Sequence, residues 1–328
     1  MNPTDSPSPL LAVDYVHAQR PAALLGNDVL AVLGFGANAG DCDDPRYLHV
    51  PLQPYGTAPM ELWRGNAPVQ FGRDDGLAWS SDGQLGFGAI ELDETGQGIE
   101  QVAEQAYRRM LEHLRDSATP HLLRIWNYFD AITIGQGDAE RYRRFCVGRA
   151  RGLGHFDVGQ LPAATAIGRS DGARRVQVYW LAAAEPGTPV ENPRQVSAYH
   201  YPRQYGPQSP SFARAMLPPE GAHMPLLLSG TAAVVGHASK HEEDLLAQID
   251  ETFRNFDALI DNARKQRPDL PPGFGSGSRL KVYVRDATDL PVVADALEKR
   301  LGRAVPYVIL HAAICRRELA IEIDGVHG

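Results

Sequence analysis

The chain has 328 residues, an apolar content of 43% and a formal net charge of −8. This length is sufficient for two domains with a substantial core. The charge and the lack of a basic run argue against a nucleic-acid-binding protein, because phosphate neutralisation requires clustered lysine and arginine side chains. No window reaches 18 uninterrupted apolar residues, and the N-terminus "MNPTDSPSPLL" lacks a basic leader. We therefore expect a cytoplasmic protein with no membrane segment.

The sequence contains no convincing signature of a metal or an organic cofactor. Its three cysteines, Cys42, Cys146 and Cys315, are odd in number, far apart and without a C-x-x-C spacing. The stretch "VLAVLGFGANAG" has some likeness to a dinucleotide fingerprint, but its spacing is G-x-G-x-x-x-G and the following "DCDDPRYLHVPLQP" cannot begin a helix. We expect neither a metal nor a nucleotide cofactor.

The first half of the chain begins with short strands in "APVQFGRDDGLAWSSDGQLGFGAIEL". A strand "HLLRIWNYF", a helix "AERYRRFCVGRARG" and two strands, "ATAIGRS" and "RRVQVYWLAAA", come later in this half. Between them lies a helix whose spacing predicts one apolar face, formed by Ile99, Val102, Ala103, Tyr107, Met110, Leu111 and Leu114.

The second half repeats this order of elements. A strand "MPLLLSGTAAVV" precedes a long helix, and a capping box of Ser239 and Glu242 is predicted to begin that helix. A strand "RLKVYVR", a helix "LPVVADALEKRLG" and two strands, "VPYVILHAAIC" and "LAIEIDGV", follow. The apolar stripe of the long helix consists of Leu245, Ile249, Phe253, Phe256 and Ile260.

The repeated order predicts an α+β protein of two modules, each a mostly antiparallel sheet with two helices on one face. We place an N-terminal arm at residues 1–30, the first module at 31–190 and the second at 191–328. The Pro-rich stretch "AEPGTPVENPRQ" is predicted to join the modules. A duplicated chain can form within one polypeptide the interface that single-module proteins form by oligomerisation, so we favour a monomer.

The stretch "SGTAAVVGHASKH" is compatible with a hydrolase, a metal site or a strand-to-helix connection. Ser229 does not lie in a G-x-S-x-G elbow, and His237 and His241 lack the glutamate of an H-E-x-x-H site. The structural interpretation is therefore favoured.

The same stretch resembles the helix entry of RidA/YjgF-like domains, whose α+β fold is shared by the trimeric chorismate mutases. Together with "IWNYF", "ERYRRFCVGR", "ENPRQVSAYHYPRQYGPQSPSFARA" and "AAICRRELAIEIDG", the chain from about residue 120 onwards resembles the chorismatases. These are two-domain RidA-like enzymes that remove the enolpyruvyl group of chorismate as pyruvate. The resemblance implies a small-molecule substrate, chorismate, and no cofactor.

The terminal strand "LAIEIDG" alternates Leu319, Ile321 and Ile323 with polar residues on its other face. Glu322 between two isoleucines is either an exposed edge-strand residue or a buried carboxyl with a raised pKa. Its place in the motif matches the proton donor of the chorismatases. A two-residue turn at "RR" 316–317 would place His311 opposite Glu322.

Cys315, on the same face in that register, could be a simple core residue. The resemblance gives it another role, because a cysteine at this point distinguishes chorismatases that form 3-hydroxybenzoate from those that hydrolyse chorismate to a dihydroxycyclohexadiene acid.

Carboxylate anchors are predicted on one helix and one loop. Tyr142 and Arg149 are seven residues, or two helical turns, apart and share a face. Arg149 matches a carboxylate-binding arginine of the family, although an ordinary solvated arginine would show the same pattern. The Pro-bounded loop provides Arg214 and Tyr205 as the better candidates, with Tyr201 and Tyr199 beside them. In "SGTA", Gly230 and Ala232 are expected to shape the pocket.

The resemblance favours a 3-hydroxybenzoate-forming chorismatase, although some enzymes of this kind also release 4-hydroxybenzoate for pigment and ubiquinone biosynthesis. Two alternatives remain open: a RidA-type imine hydrolase acting on 2-aminoacrylate, and a non-catalytic domain that binds a small acid and regulates a partner.

Overall fold

A computed structural model describes residues 9–328. Among these residues, no helix is long and apolar enough to cross a lipid bilayer. The helices are α1 (Ile99–Arg115), α2 (Arg141–Leu153), α3 (Leu245–Arg264) and α4 (Leu290–Leu301). In chain order the strands are β1 (Ala12–Val16), β2 (Val29–Phe35), β3 (Tyr47–Val50), β4 (Gln53–Pro54), β5 (Met60–Arg64), β6 (Gln70–Asp74), β7 (Leu77–Ser81), β8 (Leu85–Asp93), β9 (His121–Asp130), β10 (Ala163–Arg169), β11 (Arg175–Ala183), β12 (Thr188–Val190), β13 (Ala215–Leu217), β14 (Leu226–Thr231), β15 (Val234–Val235), β16 (Ala238–Ser239), β17 (Arg279–Val284), β18 (Tyr307–His311), β19 (Ala313–Ile314) and β20 (Ile321–His327).

The first module is a seven-stranded sheet in the order β19-β10-β9-β11-β8-β7-β6, with α1 and α2 packed on one face. The helix α1 buries its predicted apolar stripe there, apart from Leu111, which is only partly buried. The residues of α2 that reach the same core include Phe145 and Cys146.

The second module is a seven-stranded sheet in the order β12-β13-β14-β20-β17-β18-β4, covered on one face by α3 and α4. The stripe predicted for the long helix is confirmed, because Ile249, Phe253, Phe256 and Ile260 are buried against the sheet and Leu245 packs at its edge.

The two modules share one topology. Chain order β8-α1-β9-α2-β10-β11 gives the sheet order β10-β9-β11-β8, and β14-α3-β17-α4-β18-β20 gives β18-β17-β20-β14. In both modules the strand that follows the first helix pairs in parallel with the strand that follows the second helix, β9 with β10 and β17 with β18. On their other sides, β9 pairs antiparallel with β11 and β17 pairs antiparallel with β20. The predicted α+β class and the duplication are therefore confirmed.

One edge of each seven-stranded sheet is completed by a short strand from another part of the chain. β4 pairs with β18 of the second module, and β19 pairs with β10 of the first. The stretch predicted as one strand, "VPYVILHAAIC", is thus divided at Ala312 between two sheets. The predicted hairpin at Arg316–Arg317 and its register are wrong, since Glu322 lies opposite Tyr283 and not opposite His311.

Residues 12–64 also form a separate four-stranded sheet in the order β1-β5-β2-β3. The sheet of the first module begins only at Gln70, and β12 lies within the predicted linker. The module boundaries at 30/31 and 190/191 stay predictions. A core cluster with members from all three sheets, among them Leu33, Trp126 and Tyr283, packs on the faces opposite to the helices.

The capping prediction for α3 is wrong. Asp244 caps the helix through its side chain, which accepts a hydrogen bond from the backbone N–H of Ala247. Ser239 instead donates to Glu318 Oε1 at 2.7 Å. The reason is that residues 234–239 form the small hairpin β15–β16, turned at Gly236 in a left-handed conformation, so the helix begins later.

Candidate active site

A cavity of about 390 Å³ opens where β10 of the first module meets β14 of the second. Ser229 on β14 joins the two modules beside it, accepting a hydrogen bond from the backbone N–H of Ala164 and donating one to the carbonyl of Ala213. The volume of the cavity lies within the range of roughly 300–1,000 Å³ that is typical of small-molecule sites. Ser229 is therefore a structural residue, as its sequence context indicates.

Nine of the ten residues that the sequence singled out for the site line this one cavity, although they come from distant parts of the chain. Tyr199, the least favoured of the loop tyrosines, does not line it. The nine are Tyr142, Arg149, Tyr201, Tyr205, Arg214, Gly230, Ala232, Cys315 and Glu322.

Glu322 is a buried carboxyl at the floor of the cavity, with 5% of its surface exposed. Ile321 and Ile323, its neighbours on β20, face the helices of the second module, which turns Glu322 and Asp324 towards the first module. Burial and the nearby Asp324 raise the pKa of Glu322 to about 8, while Arg124, Cys315 and Arg214 act in the opposite direction. The carboxyl therefore retains its proton at neutral pH.

Cys315 lies next to this carboxyl, with its Sγ 3.9 Å from Glu322 Oε2. Burial, and then the charge of Glu322, raise the pKa of the thiol well above its ordinary value. A thiol in this environment stays protonated and is a weak nucleophile. It can shape the pocket beside Glu322 and donate a weak hydrogen bond to it.

Arg149 projects from α2 with only 2% of its surface exposed. No carboxylate among residues 9–328 forms an ion pair with it, and its Nε and Nη2 atoms have no hydrogen-bond partner there. Such a buried guanidinium is costly unless an anion compensates its charge. The geometry therefore suits an anionic ligand at this end of the cavity.

Arg214 reaches the cavity from the segment before β13. Its Nη2 donates to the carbonyl of Val196 at 2.9 Å and to the hydroxyl of Tyr201 at 2.7 Å, while its Nε has no partner in the described part of the chain. The hydroxyl of Tyr205 lies 3.1 Å from Nδ1 of His237. Tyr201 thus holds Arg214 in place as well as lining the cavity.

Arg316 also lines the cavity, although the sequence pattern had placed it in a turn. Its Nη1 donates to the carbonyl of His237 and to the hydroxyl of Ser239, and its guanidinium lies 4.2 Å from the ring centroid of Tyr205. The signal was present, because two adjacent arginines are poor residues for a tight turn. Other lining residues that the sequence did not indicate are Glu140, Arg143, Thr165, Gln195, Gln204, Phe212 and Arg317.

The cavity therefore combines one carboxyl that is protonated at neutral pH with several arginines. Among the described residues there is no group of three or more His, Cys, Asp or Glu side chains that could hold a metal ion. His241, which the sequence offered as a conceivable metal ligand, does not line the cavity, and its Nε2 atom lies 3.3 Å from Glu251 Oε2. The arrangement can bind an organic acid and deliver a proton to it.

Comparisons with known proteins agree with this geometry. Residues 61–182 match the family described as "Chorismatase FkbO/Hyg5-like, N-terminal". A 3-hydroxybenzoate synthase of Streptomyces hygroscopicus is 33% identical over 319 residues, which are 92% of this chain and 92% of that protein. A chorismatase of the same organism is 35% identical over 81% of this chain and 78% of its own length. A crystal structure of a chorismatase superposes with a TM-score of 0.85 at 30% identity, covering 98% of this chain and 100% of that one.

Proposed function

Because this chain belongs to the chorismatase family, we propose that it releases the enolpyruvyl group of chorismate as pyruvate and forms 3-hydroxybenzoate. The observation that carries the proposal is that Glu322, a carboxyl protonated at neutral pH, shares its cavity with Arg149 and Arg214, two buried arginines that form no ion pair with any of residues 9–328. The name of the 3-hydroxybenzoate synthase that is 33% identical supports the choice of product.

Arg149 and Arg214 bind the two carboxylates of chorismate in this proposal. Arg149 comes from α2 of the first module and Arg214 from the second, so the substrate lies across the seam between the modules. Arginine suits this task because its planar fork donates two parallel hydrogen bonds to a carboxylate. The donors are the N–H groups on Nε and Nη2 of Arg149 and on Nε of Arg214, which have no partner within residues 9–328.

Glu322 starts the reaction by donating its proton to the methylene carbon of the enolpyruvyl group. The methylene becomes a methyl group, and the ether oxygen shares the positive charge of an oxocarbenium ion. The raised pKa of Glu322 makes the acid available at neutral pH. The carboxylate left behind lies beside the developing positive charge and stabilises it.

The 4-hydroxyl oxygen of the substrate then attacks ring carbon 3, and the bond from this carbon to the ether oxygen breaks, which releases pyruvate. The hydroxyl proton returns to Glu322. The resulting 3,4-arene oxide opens at the bond between its oxygen and carbon 4, which leaves the oxygen on carbon 3 and a positive charge at carbon 4. Carbon 3 then loses its hydrogen as a proton while the oxygen takes one up, which gives 3-hydroxybenzoate. No water is consumed, so atoms balance between chorismate and the two products.

Cys315 steers this outcome in the proposal by keeping the space beside Glu322 occupied by a neutral thiol. Water in that space would instead attack the oxocarbenium ion and yield the dihydroxycyclohexadiene acid. Opening of the arene oxide at carbon 3 would leave its oxygen on carbon 4 and give 4-hydroxybenzoate as a second product.

The direct test is to incubate the purified protein with chorismate, follow pyruvate, and identify the ring product by chromatography. We expect stoichiometric pyruvate and 3-hydroxybenzoate. An imine hydrolase would release pyruvate from 2-aminoacrylate and leave chorismate unchanged, and a regulatory domain would bind chorismate without turnover. In water enriched in oxygen-18, the hydroxyl of 3-hydroxybenzoate should stay unlabelled, and a labelled hydroxyl would contradict the intramolecular route.

A further inference from the structure

Asp324 lies under the floor of the cavity as a completely buried carboxylate. Four donors converge on its Oδ2 atom, at 2.7 to 3.1 Å. Its Oδ1 atom has no hydrogen-bond partner among residues 9–328, although the Nζ atom of Lys281 lies 3.8 Å away. The donors are the side chains of Arg124, Trp126, Thr165 and Tyr283.

This arrangement holds Asp324 as an anion. The Oδ2 atom accepts every one of the four bonds, and two cations, Arg124 and Lys281, lie within 4 Å of the carboxylate. Breaking such a buried pair would leave an uncompensated cation, which is strongly unfavourable. The donors belong to both modules, so the anion is fixed relative to the cavity above it.

Asp324 and Glu322 are two residues apart on β20, and their side chains therefore project from the same face of the sheet. Thr165 lies between Asp324 and the cavity. Its hydroxyl donates to Asp324 Oδ2 at 2.7 Å, while the residue also lines the cavity beside Glu322. A fixed negative charge on Asp324, two residues away on the same face of β20, opposes a second negative charge on Glu322.

The other groups that act on Glu322 have opposing effects. Arg124 and Arg214 favour its charged form, and Cys315 donates to it. Arg124 already donates to Asp324, and Arg214 to Tyr201, which limits the stabilisation that each arginine gives to a charged Glu322. The titratable and charged groups that face Glu322 are Arg124, Tyr142, Arg214, Arg285, Cys315 and Asp324.

We propose that Asp324 is a positioning residue for the reaction, a fixed anion beneath the cavity that keeps Glu322 in its protonated form. The inference rests on the proposed function for its catalytic consequence, but the state of Glu322 can be measured without turnover. Asp324 touches no substrate in this scheme; it acts through the carboxyl two residues before it.

The test is the variant Asp324→Asn, studied as the full-length protein without substrate. The proton on Glu322 is followed by the infrared carbonyl band of a neutral carboxyl as pH is raised, and the band is assigned by its loss in Glu322→Gln. We expect the midpoint of this titration to fall by about one to two pH units in Asp324→Asn. The control Asp295→Asn, an exposed carboxylate on α4, should leave the midpoint unchanged. An unchanged midpoint in folded Asp324→Asn would overturn the inference.

Turnover adds a second readout. In Asp324→Asn, pyruvate release at pH 7 should decrease and should recover as pH is lowered, because the acid form of Glu322 is restored. A merely structural defect would not recover in this way, and a loss that is the same at every pH contradicts the inference. A shifted infrared midpoint without pyruvate release in the wild-type protein would reject the proposed function and leave the inference standing.

Asp324→Asn leaves Arg124 without its partner, so the variant could be unstable. The double variant Asp324→Asn/Arg124→Gln removes both charges and carries the same test. Since Asp324 acts more strongly on Glu322 than Arg124 does, the midpoint should still fall, by less than in the single variant. A midpoint equal to or above the wild-type value in the double variant contradicts the inference.

Discussion

The carboxyl of Glu322 occupies the space that a side chain at position 230 would need. A Cβ atom built on Gly230 would clash with Glu322 Oε1 and lie 2.9 Å from the carboxyl carbon. The absence of a side chain at Gly230 thus leaves room for the carboxyl of the proposed acid. This contact joins β14, the strand of the second module that meets the first module, to β20, the strand that carries Glu322.

Gly230→Ala should therefore disturb the acid more than the fold. Glu322 is the end of a flexible side chain and can rotate away from the added methyl group, which displaces its proton from the substrate. We expect kcat to decrease by roughly 10²-fold, as is typical of a small misplacement of a reacting group. Pyruvate release and thermal unfolding measure the two effects. Wild-type kcat, or a loss of folding in place of a loss of rate, would show that this contact does not control the acid.

Glu322→Gln should nearly abolish pyruvate release while chorismate still binds. The amide preserves the shape of the side chain but cannot deliver a proton to carbon, and general acids typically contribute about 10²–10⁴-fold. Single-turnover assays and calorimetric binding of chorismate separate the two properties. The exposed Glu220→Gln serves as a control with unchanged rate. Substantial activity in Glu322→Gln would remove the glutamate from the mechanism.

The raised pKa of Glu322 also predicts how stability depends on pH. Between the ordinary value of 4.5 and about 8, the unfolded chain has lost the proton while the folded protein keeps it. The stability that Glu322 contributes is therefore fully present below pH 4.5 and is lost as pH rises towards 8. Relative to Glu322→Gln, the wild-type protein should lose on the order of a few kcal/mol over this interval. Denaturation of both proteins at pH 5, 6.5 and 8 measures the difference, and a difference that does not vary with pH would contradict the shifted pKa.

Local patterns predicted those parts of the site that depend on one segment. The alternation in "LAIEIDG" placed Glu322 opposite the isoleucines, and the helical spacing placed Tyr142 and Arg149 on one face. No local pattern indicated the role of Asp324, the carboxylate beneath the cavity, because its hydrogen-bond donors lie up to 200 residues away in sequence. The division of the chain at Ala312 was missed for the same reason: the partner of β19 is β10, in the other module.

Arg149→Ala should weaken chorismate binding. The substrate carboxylate would lose a buried bidentate partner, at a cost of about 2–5 kcal/mol. The effect should be seen in kcat/KM and in the Kd from calorimetry. Arg151→Ala is the matched control, because Arg151 lies on the same helix but is exposed and pairs with Glu100. If both variants bind chorismate equally well, the carboxylate is anchored elsewhere in the cavity.

Cys315→Ala should alter which product forms more than how fast pyruvate is released. Removing the thiol opens space beside Glu322 Oε2, and water in that space can intercept the oxocarbenium ion before the 4-hydroxyl attacks. We expect less 3-hydroxybenzoate for each pyruvate, with more dihydroxycyclohexadiene acid or 4-hydroxybenzoate, while Cys42→Ala, in the N-terminal region of the chain, leaves the ratio unchanged. Chromatographic product ratios, together with oxygen-18 incorporation from water, measure the change. If Cys315→Ala gives the wild-type ratio, the thiol is a packing residue and the choice between products depends on other groups in the cavity.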